Sequence, residues 1–143
     1  MLVPDDLRYS QDHQWVRVEG DIWRVGITEF AQEALGEVTM VRIGHPDADP
    51  GVDVVSTDAA RVTVPAGAEM GEIEAFKAMT DLYMPVDAVV VETNPALAQA
   101  PTVVNTDPYG EGWLCTVQPS SVEDFDALLD AAAYRELIGY SDG

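Results

Sequence analysis

The apolar residues of this chain come in short packets separated by turn-forming residues, and that spacing restricts the fold before any single motif does. Segments 13–20, 22–27, 38–43, 62–64, 71–76, 81–86, 89–93 and 113–117 are rich in β-branched, aromatic or other apolar residues within a strand's length. Gly, Pro, Asp or Asn stands between most of them, the pattern of short strands joined by turns. In the first segment Trp15 and Arg17 alternate with Val16 and Val18, and Gly20-Asp21 leads directly into the second, which predicts a hairpin. Helical spacing is brief. Thr28 is the expected N-cap, with Phe30, Ala31, Ala34 and Leu35 on one face and Gly36 as the C-terminal stop. Asn94-Pro95 starts a short helical turn, and 105–112 is expected to be a loop feeding the last strand. Ser120 through Glu123 match a capping box, with two helices expected over about 122–129 and 131–138. Pro85 cannot donate to a ladder, so its strand should lie at an edge or carry a bulge. Together these features predict a mainly β chain, a sandwich or flattened barrel, closed by short C-terminal helices. The order strand, capped helix, strand occurs near 22–43 and again near 82–117, which points to two similar halves.

At 143 residues one domain is expected, with its core over about 7–118 and the helices over about 120–138. Cys115 is the only cysteine, which rules out an intramolecular disulfide and fits a reducing, cytoplasmic setting. No leader pattern or long apolar run is present, so no membrane association is expected. The net charge of −19 argues against nucleic acid, because few cations are available to replace counterions on phosphates. It fits a carrier steered onto basic clefts of partner enzymes, and equally a chain adapted to salt.

Against that charge one residue stands out. Lys77 is the only lysine; the six other basic residues are arginines. A primary amine can be acylated or act as a nucleophile, whereas a guanidinium stays protonated. Lys77 falls between segments 71–76 and 81–86, which places it at a hairpin tip, with Glu74 and Asp81 as acidic shoulders for a modifying enzyme to recognise. The bare pattern fits an ordinary solvated lysine equally well.

Other candidates are weaker. His45 with Asp47 and Asp49 could form a metal cluster, but in so acidic a chain they read as solvated loop residues of the long 44–61 segment, in which 52–55 could add a short strand. His13 reads as a packing or hydrogen-bonding residue at a strand start, and Cys115 as a small core residue. There is no phosphate loop, nucleophile elbow or zinc-protease motif, so an independent hydrolase or metalloenzyme has little behind it.

In order along the chain stand Leu7-Arg-Tyr9 with His13-Gln-Trp15, Val25-Gly-Ile-Thr28 with Phe30-Ala-Gln32 and Leu35-Gly36, and Glu74-Ala-Phe-Lys-Ala78 with Asp81-Leu-Tyr83. Asn94, Val104-Asn105, Asp107-Pro-Tyr-Gly110 and Gly112-Trp113 follow. In this order they resemble the lipoyl-bearing H-protein family of the glycine cleavage system. The resemblance implies a lipoyl-domain-like β-sandwich and a non-catalytic carrier with lipoate in amide linkage to Lys77. It also implies a monomer that visits a lipoate-attaching enzyme, dihydrolipoamide dehydrogenase and the P and T proteins, carrying an aminomethyl group. Gln14 and Asp81 would line a groove for the arm. The family has glutamate at the position of Gln14, and Ala75 and Phe76 replace its usual small polar and β-branched pair. These departures tilt the expectation towards H-protein-like lipoate-binding proteins that serve a heterodisulfide-reductase-like complex in sulfur oxidation, with glycine cleavage as the alternative. A binding module that has kept the fold and lost the cofactor is a third reading.

Overall fold

The first hairpin forms as its alternation predicts. Strand β1 (Arg8–Tyr9) precedes β2 (Gln14–Glu19), which pairs antiparallel with β3 (Ile22–Ile27). Glu19 lies opposite Ile22, and Gly20 takes the φ of +69° that opens the two-residue turn. The computed structural model describes residues 2–43 and 63–139. The 52–55 strand and the His45, Asp47 and Asp49 cluster therefore lie outside the described residues.

Helix α1 (Glu29–Leu35) follows β3, with the Thr28 hydroxyl accepting from the Ala31 amide at 3.2 Å and Gly36 at φ +81° ending it. Next come β4 (Val38–Ile43), β5 (Thr63–Val64), β6 (Glu69–Ala75), β7 (Met79–Tyr83) and β8 (Ala88–Thr93). Helix α2 (Val103–Thr106), strand β9 (Cys115–Pro119) and helices α3 (Asp124–Ala127) and α4 (Ala131–Ile138) complete the described chain. Two antiparallel sheets result, one in the order β1-β2-β3-β9-β8-β5 and the other β4-β6-β7. Val16, Val25 and Val117 from the first pack with Val38, Ile73 and Leu82 from the second, so the main core lies between the sheets. This is the expected β-sandwich. The two halves also share an element order: β3, α1, β4 is echoed by β8, a 3-10 turn at Pro95–Ala98, α2 and β9. The Asn94 side chain caps that turn by accepting from the Ala96 amide at 3.0 Å.

Strand β2 is buried on both faces at its start, because a second core covers the outside of the large sheet. Val16 enters the main core, while Trp15 joins Val3, Leu7, Tyr9, Tyr109 and Tyr134 in the other. Trp15 lies over Gly26, its partner across the ladder, where a Cβ would meet the indole at 2.5 Å. Tyr9 and Tyr134 stack at 4.5 Å, which docks α4 on the sheet. The Tyr134 hydroxyl also shares hydrogen bonds with Thr28 Oγ1 at 2.7 Å and with His13 Nδ1 at 2.9 Å.

Three local expectations are corrected. Residues 103–106 form helix α2 where Asn105 and Thr106 are expected in a loop; the helix has no side-chain cap to announce it. The capping box at Ser120 does not form. The Ser120 amide is held by Asp87 O at 2.9 Å beside the end of β9, so helix α3 begins only at Asp124, without a side-chain cap. Trp113 and Leu114 precede β9 and do not belong to it, although the Leu114 amide bonds Val25 O. Pro85 falls just beyond β7, an edge strand of its sheet, as expected.

His13 lies at φ +65° against Phe30 and Tyr134, and burial lowers its pKa from the ordinary histidine value. A lowered folded pKa means that the unfolded chain takes up the proton first. Stability from His13 is therefore intact above the unfolded value of about 6.5 and is lost as pH falls below it. The urea midpoint should drop more for the wild-type chain than for His13→Asn between about pH 8 and about pH 5.5.

Candidate functional site

Lys77 sits at the tip of the β6–β7 hairpin, as its spacing predicts, and the tip is short. The Ala75 amide donates to Ala78 O at 2.9 Å, closing the turn over Phe76 and Lys77. The tip does not hang free. The Phe76 amide donates to Glu37 O at 2.8 Å and the Lys77 amide to Leu35 O at 3.0 Å, so the backbone of the lysine is tied to the junction between α1 and β4. Gly36, between those two acceptors, provides the seat for the side chain. A Cβ placed on it would lie 3.0, 3.3 and 3.4 Å from Cγ, Cδ and Cε of Lys77. The φ of +81° favours glycine, and the missing Cβ leaves the stem room to lie this close without shifting.

The junction is itself held from behind by Asn105 on α2. Its Nδ2 donates to Gly36 O at 2.7 Å and to Gln32 Oε1 at 3.0 Å, while its Oδ1 accepts from the Val38 amide at 2.8 Å. Sequence reasoning placed Asn105 among the family-like motifs, with Val104, but gave it no structural role. That role is visible only once α2 is seen against α1.

The other candidates distribute differently. Glu72 and Glu74 flank the buried Ile73 and so point outward, Glu74 being exposed. Asp81 is exposed on β7 opposite Glu72, and its charge raises the pKa of the neighbouring Tyr83 phenol. Oxygens of Glu69, Glu72 and Asp81 lie within 4.8 Å of one another, and Arg42 pairs with Glu69 and Glu72 at 3.6 and 3.9 Å. Phe76 and Met79, on either side of Lys77, are 84% and 62% exposed.

Gln14 does not face an open groove. It is 1% exposed, with its Nε2 donating to Tyr83 O at 2.6 Å and its Oε1 accepting from the Tyr83 amide at 3.0 Å. It therefore clamps β2 of the large sheet to β7 of the small one, two residues from Asp81. A side chain that must donate at one end and accept at the other calls for an amide, which accounts for glutamine here on grounds of structure alone. Cys115 is fully buried, and burial raises its thiol to about 12, as befits the core residue expected.

What this arrangement can do is present a primary amine on a fixed hairpin, with its stem in a glycine seat and its immediate neighbours in solvent. Those features fit an acyl group in amide linkage at Lys77, and none of them forms a catalytic set.

Residues 7–140 match the Glycine cleavage H-protein family. The chain is 45% identical over 137 residues to the glycine cleavage system H protein of Halorhodospira halophila, covering 95% of each. It is 42% identical over 138 residues to that of Bacteroides fragilis, covering 96% of this chain and 98% of the relative. The crystal structure of a glycine cleavage system H protein from Mycobacterium marinum matches with a TM-score of 0.77 at 36% identity, over 96% of this chain and 99% of that one. Family members are non-catalytic carriers with a covalently lipoylated lysine. These relatives favour the glycine-cleavage alternative, and the sulfur-oxidation reading finds no support among them.

Asn105→Ala should cost about 1–3 kcal/mol, because it leaves the Val38 amide and Gly36 carbonyl without their partner. It should also slow acylation of Lys77 by a lipoate-attaching enzyme, measured by intact mass over time. Between its sandwich, its seated lysine and these relatives, the chain belongs to the glycine cleavage H-protein family.

Proposed function

We propose that this chain is the lipoyl carrier of a glycine cleavage system, with Lys77 as the attachment residue. The observation that carries the proposal is the seat of Lys77, whose amide is bonded to Leu35 O while its stem lies over Gly36. A lipoyl group in amide linkage there supplies a dithiol on which a one-carbon amine unit is carried. The protein contributes position. The two strands and the α1–β4 junction fix where the arm begins, which reduces the orientational cost of each transfer.

The surroundings of Lys77 fit visits to several enzymes. Phe76 and Met79 form an apolar rim that can be buried in a partner's cleft, and Glu74 and Asp81 give that cleft acidic shoulders to read. The net charge of −19 favours basic-rimmed clefts and speeds encounter. Gln14 contributes by holding Tyr83, and with it the strand that bears Asp81. The partners on this reading are the lipoate-attaching enzyme, dihydrolipoamide dehydrogenase and the P and T proteins. We place the carrier, as a monomer, in a reducing cytoplasm.

Expressed beside an active lipoylation system, the wild-type chain should gain the mass of one lipoyl group, and Lys77→Arg should gain none. The modified protein should then accept a methylamine unit from glycine decarboxylase. A wild-type chain that stays unmodified would defeat the carrier assignment. A lipoylated chain that cannot be loaded by glycine decarboxylase, but is bound by a heterodisulfide-reductase-like complex, would move it to sulfur oxidation. Phe76→Ser should leave the fold intact and weaken binding to the partner enzymes, read as a raised KM for the carrier.

A further inference from the structure

Three polar side chains meet beneath α4. His13 Nδ1 lies 2.9 Å from the Tyr134 hydroxyl, and that hydroxyl lies 2.7 Å from Thr28 Oγ1. Thr28 Oγ1 also accepts from the Ala31 amide at 3.2 Å, as the N-cap of α1. Thr28 and Tyr134 are fully buried, and their hydroxyls have no further partner among the described residues. The backbone keeps the histidine in place. The His13 carbonyl accepts from the Thr28 amide at 3.0 Å, its amide donates to Ser10 O at 3.2 Å, and the ring packs on Phe30 at 4.8 Å.

The protons available give this chain a direction, because each hydroxyl has one to donate. With the ring neutral and its proton on Nε2, Thr28 donates to Tyr134 and Tyr134 donates to His13 Nδ1. Every donor then has an acceptor. A proton on Nδ1 reverses the chain. His13 donates to Tyr134, Tyr134 donates to Thr28, and Thr28 Oγ1 receives both Tyr134 and Ala31. The Thr28 O–H is left in the interior with no acceptor, at the cost of a desolvated donor. Burial of the ring also disfavours its charged form. Among the groups around it, Asp12 on its own segment favours the charged form. Tyr134 faces it from α4 with a phenol that burial pushes up to about 12, and Thr28 and Phe30 on the α1 side carry no charge.

We infer that the His13–Tyr134–Thr28 chain is a latch on α4, closed while His13 is neutral and opened when His13 takes up a proton. The two backbone bonds between Tyr9 and Leu129, each 2.8 Å, stand just before α4 and fix the point about which the helix turns. Arg135 ties α4 to Val3 O and Asp5 Oδ1, which belong to the N-terminal segment and not to a sheet. Opening uncovers Tyr9, on which Tyr134 stacks, and leaves the two sheets joined through the main core. The C-terminal helix thereby responds to pH in the range where histidine titrates. The latch acts whether or not Lys77 is modified.

The test is NMR of the full chain at about pH 8 and about pH 5.5, on either side of the ordinary histidine value. At the higher pH the ring nitrogen shifts of His13 should report a proton on Nε2. The α4 amides should exchange faster than those of Val16 and Val25 in the β2–β3 ladder, through opening that spares the sheets. Corrected for intrinsic rates, their protection should fall several-fold at the lower pH. The ceiling is about tenfold, one unit below the open ring's value of about 6.5. The α4 shifts should follow the His13 ring titration with the same midpoint, a reading that needs no variant. His13→Asn, whose side chain tolerates the left-handed backbone there, should abolish the pH response, and His45→Gln should keep it. A neutral ring with its proton on Nδ1, or α4 amides that exchange only together with the sheet, would overturn the latch. So would a pH response that survives in His13→Asn or is lost in His45→Gln.

Discussion

Two backbone hydrogen bonds determine what this protein can present. The Phe76 and Lys77 amides are given to Glu37 O and Leu35 O, so the tip of a hairpin in one half of the chain is bound to a helix end in the other. A two-residue tip would otherwise be among the least ordered parts of a β-sandwich, exposed and short of buried contacts. The carbonyls that hold it are available because α1 stops at Gly36, and they stay in place because Asn105 ties Gly36 and Val38 together from α2. A sequence of small constraints therefore runs from α2 through the α1–β4 junction to the backbone of one lysine. None of them touches the amine, which remains free to be modified.

The rest of the architecture keeps that junction still. The main core joins the two sheets, and the second core, around Trp15, Tyr9 and Tyr134, fixes α4 over the outside of the large sheet. Gln14 adds a polar link between the sheets at Tyr83. Buried amides of this kind are costly unless both ends are satisfied, and here both are. Among the exposed large apolar side chains, Phe76 is the most exposed, and it and Met79 lie beside the lysine.

Much of this was legible in the residues. Hydrophobic alternation and turn chemistry located the strands, because their signals are local: Gly20 in its turn, Thr28 and Gly36 at the ends of α1, Asn94 at its 3-10 turn. The place of Lys77 followed from the same logic. What could not be read was tertiary. Asn105 gains its role only from α2 packing beside α1, and α2 is a four-residue helix with no cap. The capping box at Ser120 is a sound local signal overridden by the Asp87 carbonyl that holds Ser120 at the sheet's end. The bonds of Gln14 are tertiary in the same way: its amide is satisfied at both ends by Tyr83, on a strand of the other sheet.

The backbone that bears Lys77 is held rigid even though its side chains are exposed, and amide hydrogen exchange measures this directly. If the junction holds the tip, the Phe76 and Lys77 amides exchange slowly, at rates comparable with Ile73 in the adjoining strand, despite the exposure of both side chains. Exchange of these two amides at the rate of an unprotected peptide, with Ile73 still protected, would contradict the account and leave Lys77 on an ordinary mobile loop.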